Sequence, residues 1–136
     1  MYSITELIPQ RAPIVMVDEF LGMEEGNVSR SQFTVCADNI FVDDGVLDEC
    51  GVIEHIAQSA AARIGYLYRE ERKDVPLGYI GSINNFQLFS HPKVNDTIVT
   101  KIVIIQEVFN ISLIEAQCSV KDNCIATCRM KIYLEQ

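Results

Sequence analysis

The sequence predicts an α+β fold in which one long central helix packs against an antiparallel β-sheet. Three observations carry that expectation. Residues 45 to 69, GVLDECGVIEHIAQSAAARIGYLYR, form the one stretch periodic enough for a central helix, with Ile53, Ile56, Ala57, Ala60, Ile64 and Leu67 recurring at steps of three and four. Most of the remainder alternates or runs in β-branched residues, as in TIVTKIVIIQEVF over 97–109. Short turn signals separate these runs, so hairpins rather than crossover helices connect them.

Ser3 can cap a short helix over Ile4–Leu7, which Pro9 stops because proline lacks an N–H and restricts the residue before it. Pro13 to Leu21, with a β-rich start, and Val28 to Ala37, nearly alternating, are expected to pair as a hairpin about the turn Glu24-Glu25-Gly26-Asn27. The turn signal Asp43-Asp44-Gly45 then leads into the central helix, with Asp48 as N-cap and a span of about 48 to 69. Beyond the charged exit EERKD and the breaker Pro76-Leu77-Gly78, strands are expected over Tyr79–Ser90, Thr97–Phe109, Ile111–Val120 and Cys124–Leu134. The last three form a meander, closed by Lys121-Asp122-Asn123. One helix cannot cover both faces of so long and apolar a sheet, so a dimer is expected.

A chain of 136 residues holds one domain with a real core, here taken as residues 1–136. No repeat or linker divides it. A net charge of −8 argues against a nucleic-acid surface, since phosphate binding needs clustered Lys and Arg and only Arg69, Arg72 and Lys73 cluster. No apolar run is long enough for a membrane span, and MYSITELIPQ lacks the basic and apolar regions of a signal peptide, so a cytoplasmic location is expected. Cys36, Cys50, Cys118, Cys124 and Cys128 are odd in number and lack paired CxxC spacing. They read as free thiols, at least four of them buried, with no structural metal.

Glu54 and Gln58 stand one turn apart on the helix beside the small residues Ser59, Ala61, Ala62 and Gly65, so a carboxylate and an amide share a face cleared of bulk. Amide N–H groups at the helix start, near Cys50 and Gly51, are natural donors to a substrate carbonyl, and Gly51 allows close approach. Cys50 itself reads as a structural thiol, because no histidine is positioned to activate it. His55 points about 100° away from Glu54 and reads as a packing or surface histidine. His91, before Pro92 in a turn, reads as a capping or solvated residue.

Three blocks, LIPQRAPIVMVDEF, GVIEHIAQSAAARIGY and GSINNFQLFSHPKVNDTI, occur in an order and spacing that resemble the hotdog-fold β-hydroxyacyl-acyl-carrier-protein dehydratases. The resemblance covers most of the chain and is closest to the divergent branch of predicted 3-hydroxyacyl-ACP dehydratases of fatty-acid-like and aryl polyene pathways. It implies a hotdog fold, a sheet wrapped round the helix, and a lyase acting on an acyl thioester. The substrate would arrive on the phosphopantetheine of an acyl carrier protein or of CoA, with no other cofactor. It would lie between two protomers, the partner being a second copy or a homologous hotdog subunit. In that family a histidine from the loop before the helix of one protomer works with a helix carboxylate of the other.

The carboxylate position falls on Glu54, whereas the histidine position falls near Asn39, in DNIFVDD. Asparagine can donate a hydrogen bond but cannot take the C2 proton that dehydration removes. Gln10, in LIPQR, stands where many relatives carry a second, non-catalytic histidine. The expected site is therefore Glu54 with Asn39, and Gln58, Cys50 and Gly51 as substrate-binding residues. A partner's histidine supplies the missing base in the first reading. Thioester hydrolysis, or acyl binding without catalysis, are the alternatives.

Overall fold

In the computed structural model, which describes residues 2–25 and 27–135, the long apolar stripe becomes helix α2 (Glu49–Glu70). Asp48 caps it, its carboxylate accepting from Cys50 N at 2.9 Å. A four-residue helix, α1 (Ile4–Leu7), precedes it, with the Glu6 side chain accepting from Ser3 N. The strands are β1 (Glu19–Glu24), β2 (Val28–Thr34), β3 (Val42–Asp43), β4 (Val46–Leu47), β5 (Gly78–Leu88), β6 (Thr97–Val108), β7 (Ile111–Val120) and β8 (Asn123–Leu134).

Six strands form one antiparallel sheet in the order β1-β2-β6-β7-β8-β5, and β3 pairs with β4 alone. The expected meander is β6-β7-β8. Its last turn is tighter than expected: Lys121 and Asp122 both adopt positive φ, and Asn123 already pairs with Val120. The strands turn their buried residues towards α2, where Phe33, Ile98, Ile102, Ile114, Ala116 and Met130 share one core with Val52, Ile56, Ala60 and Ile64. Burial of this apolar surface, at roughly 25 cal/mol per Å², is what holds helix to sheet.

A second, smaller cluster of Leu7, Ile8, Phe20 and Ala62 seats the N-terminal segment on the other side of α2. Gly65 makes this contact possible. A Cβ there would lie 2.0 Å from the carbonyl oxygen of Leu7, so any side chain would push α1 off the helix.

Several expectations are corrected. The strand expected over Pro13–Leu21 begins only at Glu19, and residues 13–18 are irregular chain tied to α2 by side chains described below. β2 ends at Thr34, three residues early; beyond it Val35 exchanges backbone hydrogen bonds with Asp96 and Asn95. Gly26, assigned to the intervening turn, lies outside the described residues. Only Cys118 and Cys128 are buried, where desolvation pushes their thiols up to about 12 and about 11, while Cys36, Cys50 and Cys124 are exposed. No described helix is long and apolar enough to cross a membrane.

Strand β5 is a sheet edge, and it is largely exposed despite carrying Tyr79, Ile80 and Ile83. Such a bare apolar edge is normally paired or covered.

Candidate active site

The helix places Glu54 and Gln58 on one face, and Gln58 Nε2 donates to Glu54 Oε2 at 2.7 Å. Gln58 is fully buried. Its second N–H donates to the carbonyl of Ile14 at 2.8 Å, and its Oε1 accepts from Met16 N at 2.6 Å. These partners fix which way the amide points, because only the oxygen can face an N–H and only the nitrogen can face a carbonyl. One side chain thus stitches irregular residues 14–16 to α2 and orients the carboxylate. Glu54 Oε1 accepts no hydrogen bond among the described residues.

Glu54 is half-buried and lines a cavity of about 260 Å³. Ala57, Ala61 and Ile64 continue its floor along α2, Leu7, Pro9 and Gln10 form one wall, and Val75, Pro76 and Gly78 to Ile80 with Ile132 and Leu134 form the other. Small side chains at 57 and 61 keep this trough open beside the carboxylate, an arrangement suited to an apolar chain with one polar end. The opposite wall comes from β5 and β8, which local sequence patterning cannot bring to the helix.

Asn39 is in the loop after β2 and is not among the cavity's lining residues. Its Oδ1 accepts from Phe41 N at 2.9 Å, and its Nδ2 lies 3.2 Å from Met16 Sδ. Met16 therefore stands between Asn39 and the Gln58–Glu54 pair within one chain. Asn39 shapes its loop as an Asx turn, a role its side chain performs without proton transfer.

The helix start is also different from the expectation. The amide of Cys50 is bonded to the Asp48 carboxylate and that of Gly51 to the Asp48 carbonyl at 2.9 Å, so neither is a free donor to a substrate carbonyl. Gly51 is small for packing: a Cβ there would meet Phe41 Cβ at 2.7 Å and Leu47 Cδ1 at 2.8 Å. The Cys50 thiol is exposed rather than structural, and the neighbouring Asp48 carboxylate holds its pKa above the ordinary thiol value. That is the opposite of an activated nucleophile.

His55 is a packing residue, as expected, with a specific duty. Fully buried against the ring of Phe33, it has Nδ1 2.7 Å from the carbonyl of Met16 and Nε2 2.7 Å from Thr100 Oγ1. A carbonyl only accepts, so Nδ1 carries the proton and Nε2 accepts from the Thr100 hydroxyl. The proton of that hydroxyl is then committed, which leaves the Cys118 thiol, 3.2 Å away, as donor to Thr100 Oγ1. Desolvation lowers the His55 pKa to about 4, so the ring is neutral at neutral pH. His91 Nδ1 bonds the Leu47 carbonyl at 3.1 Å, so this exposed histidine ties its turn to β4.

The backbone has the shape of several solved structures. The dehydratase heterocomplex ApeI:P from Xenorhabdus doucetiae matches with a TM-score of 0.92 at 18% identity, over 100% of this chain and 93% of that one. The uncharacterized protein PH1136 from Pyrococcus horikoshii matches at 0.72 and 14%, over 100% and 96%. A hypothetical thioesterase protein with coenzyme A from Streptococcus pneumoniae TIGR4 matches at 0.68 and 9%, over 86% and 84%. At these identities the likeness shows the fold, the hotdog fold that the sequence blocks imply. No curated protein matches the chain. The family described as ApeP-like, ApeP dehydratase, matches residues 2–136, and the chain belongs to that family.

Proposed function

We propose that this chain supplies the acidic half of a 3-hydroxyacyl-thioester dehydratase site, paired with a homologous hotdog subunit that supplies the base. One observation carries the reading: Glu54 sits at an apolar trough with Oε2 held by Gln58 and Oε1 left unbonded among the described residues. With the acyl chain along Ala57 and Ala61, the reacting carbons lie at Glu54. The base takes a proton from C2, the double bond forms between C2 and C3, and the protonated Glu54 carboxyl gives its proton to the departing C3 hydroxyl. The products are a 2-enoyl thioester and water. Gln58, by occupying Oε2, makes Oε1 the proton-bearing atom.

Among the described residues, no side chain suited to be the base lines the Glu54 cavity. Its only titratable side chains among those residues are Glu54 and Tyr79, and the Tyr79 hydroxyl donates to Glu135. His55 is sealed in the core, and Asn39 cannot take a proton. A second subunit is the natural source, and the exposed apolar edge of β5, which also walls the cavity, is where it would pair. The similarity to a dehydratase heterocomplex supports this reading. The substrate would be carried on acyl carrier protein or CoA, in the cytoplasm.

The test is an assay of the purified chain, alone and with a homologous hotdog subunit, on 3-hydroxyacyl carrier substrates. Enoyl product is expected only with the partner and only while Glu54 is present. Inactivity in both settings sinks the dehydratase reading. Free thiol released from acyl-CoA and abolished by Glu54→Ala assigns hydrolysis instead, and tight acyl-carrier binding without turnover, unchanged by Glu54→Gln, assigns a non-catalytic subunit.

A further inference from the structure

We propose that Gln10 is a specificity-determining residue, whose amide selects acyl chains that carry a hydroxyl group distant from the thioester. The inference rests on the reading that the thioester end lies at Glu54. Gln10 lines the same cavity, between Pro9 and the helix floor. Its Oε1 is buried without any hydrogen-bond partner, and its Nε2 makes none among the described residues. The amide oxygen is an acceptor, and leaving it unmet beside apolar walls is unfavourable until a ligand donor answers it.

Its place along the trough follows from two anchors. The carbonyl of Leu7 abuts Gly65, and the carbonyl of Ile14 is held by Gln58, so residues 7 to 14 run back along α2 from its later turns towards its middle. Gln10 falls between these levels. At about 1.5 Å of rise per residue, that puts it on the order of 10 Å along the axis from Glu54. The neighbours there, Leu7, Ala61, Ile64, Val75 and Pro76, offer only side-chain hydrocarbon. A plain alkyl chain reaching this level leaves the amide unanswered. A hydroxyl, which both donates and accepts, can satisfy either end of the amide once it rotates into the cavity.

The test measures binding of paired N-acetylcysteamine thioesters, hexanoyl to dodecanoyl, each with and without an ω-hydroxyl. The full chain is used, alone and with a homologous hotdog subunit. The expected result is a preference on the order of tenfold for the ω-hydroxy member at one chain length. Gln10→Met should abolish that preference while still binding the alkyl thioester, and Gln10→Asn should move it to a different chain length. Equal binding of both members by the unaltered chain, or a preference that survives Gln10→Met, overturns the role of Gln10 and leaves the placement of the thioester intact. Failure of the unaltered chain to bind any member in either setting overturns both.

Discussion

Gln58 Nε2 lies 2.7 Å from Glu54 Oε2 while the same side chain holds Ile14 and Met16, so the orientation of the acid and the docking of the N-terminal segment depend on one amide. Gln58→Met keeps the volume and removes the hydrogen bonds. It should cost about 2 to 4 kcal/mol of stability, because the Met16 amide and the Ile14 carbonyl lose their partner. Denaturant unfolding measures the stability loss, and turnover with the partner subunit should fall alongside it.

Glu54→Gln separates chemistry from structure. A glutamine oxygen can still accept from Gln58, so unfolding free energy should change by less than about 1 kcal/mol. Enoyl formation should fall by about 10²- to 10⁴-fold, the usual worth of a positioned acid. A variant that unfolds easily and retains its remaining activity per folded molecule would contradict the assignment.

His55 gives the fold an acid limit. Its folded pKa of about 4 lies below the ordinary value of 6.5, so the unfolded chain binds the proton more readily. Its contribution is complete above about pH 6.5 and is lost as pH falls towards 4, amounting to about 3 kcal/mol across that window. Unfolding curves between pH 7 and pH 4 should show this slope. His55→Gln should lower stability at pH 7 and flatten the slope.

Gly65→Ala tests the seat of α1. The added methyl would collide with backbone, which cannot rotate away as a side chain can. A loss of about 1 to 3 kcal/mol is expected. Leu7 walls the cavity, so weaker binding of acyl thioesters should accompany that loss.

Ile80→Lys addresses the sheet edge. Ile80 is exposed in the single chain, so the fold should survive, but a charge on the edge opposes pairing. Light scattering of the chain mixed with the homologous hotdog subunit should report a smaller assembly than the unaltered chain gives. An unchanged mass would remove β5 as the pairing edge.

The helix and the meander were legible because their patterns are local: period 3.6 in α2, and β-branched runs with polar turns in β6 to β8. The segment Pro13–Asp18 was not. Its composition suits a strand, yet its backbone groups are met by Gln58 and His55, side chains some forty positions away. Pairing Glu54 with Gln58 was readable from their spacing. That the amides of Cys50 and Gly51 are consumed by the cap was hidden in the double use of Asp48, through both its side chain and its carbonyl. The role proposed for Gln10 rests on a cavity that only the folded chain supplies, since Ala61, Ile64 and Val75 come to it from distant positions.

Strand β5 is at once an edge of the sheet and a wall of the Glu54 cavity. A neighbouring chain laid along it would therefore fix two things with one choice of register. Slipping that chain by two residues preserves which side chains face inward but moves them by about 7 Å, roughly the length of several methylene groups. The same Glu54 could then serve short or long acyl chains according to the companion beside it, with the sheet edge acting as a ruler.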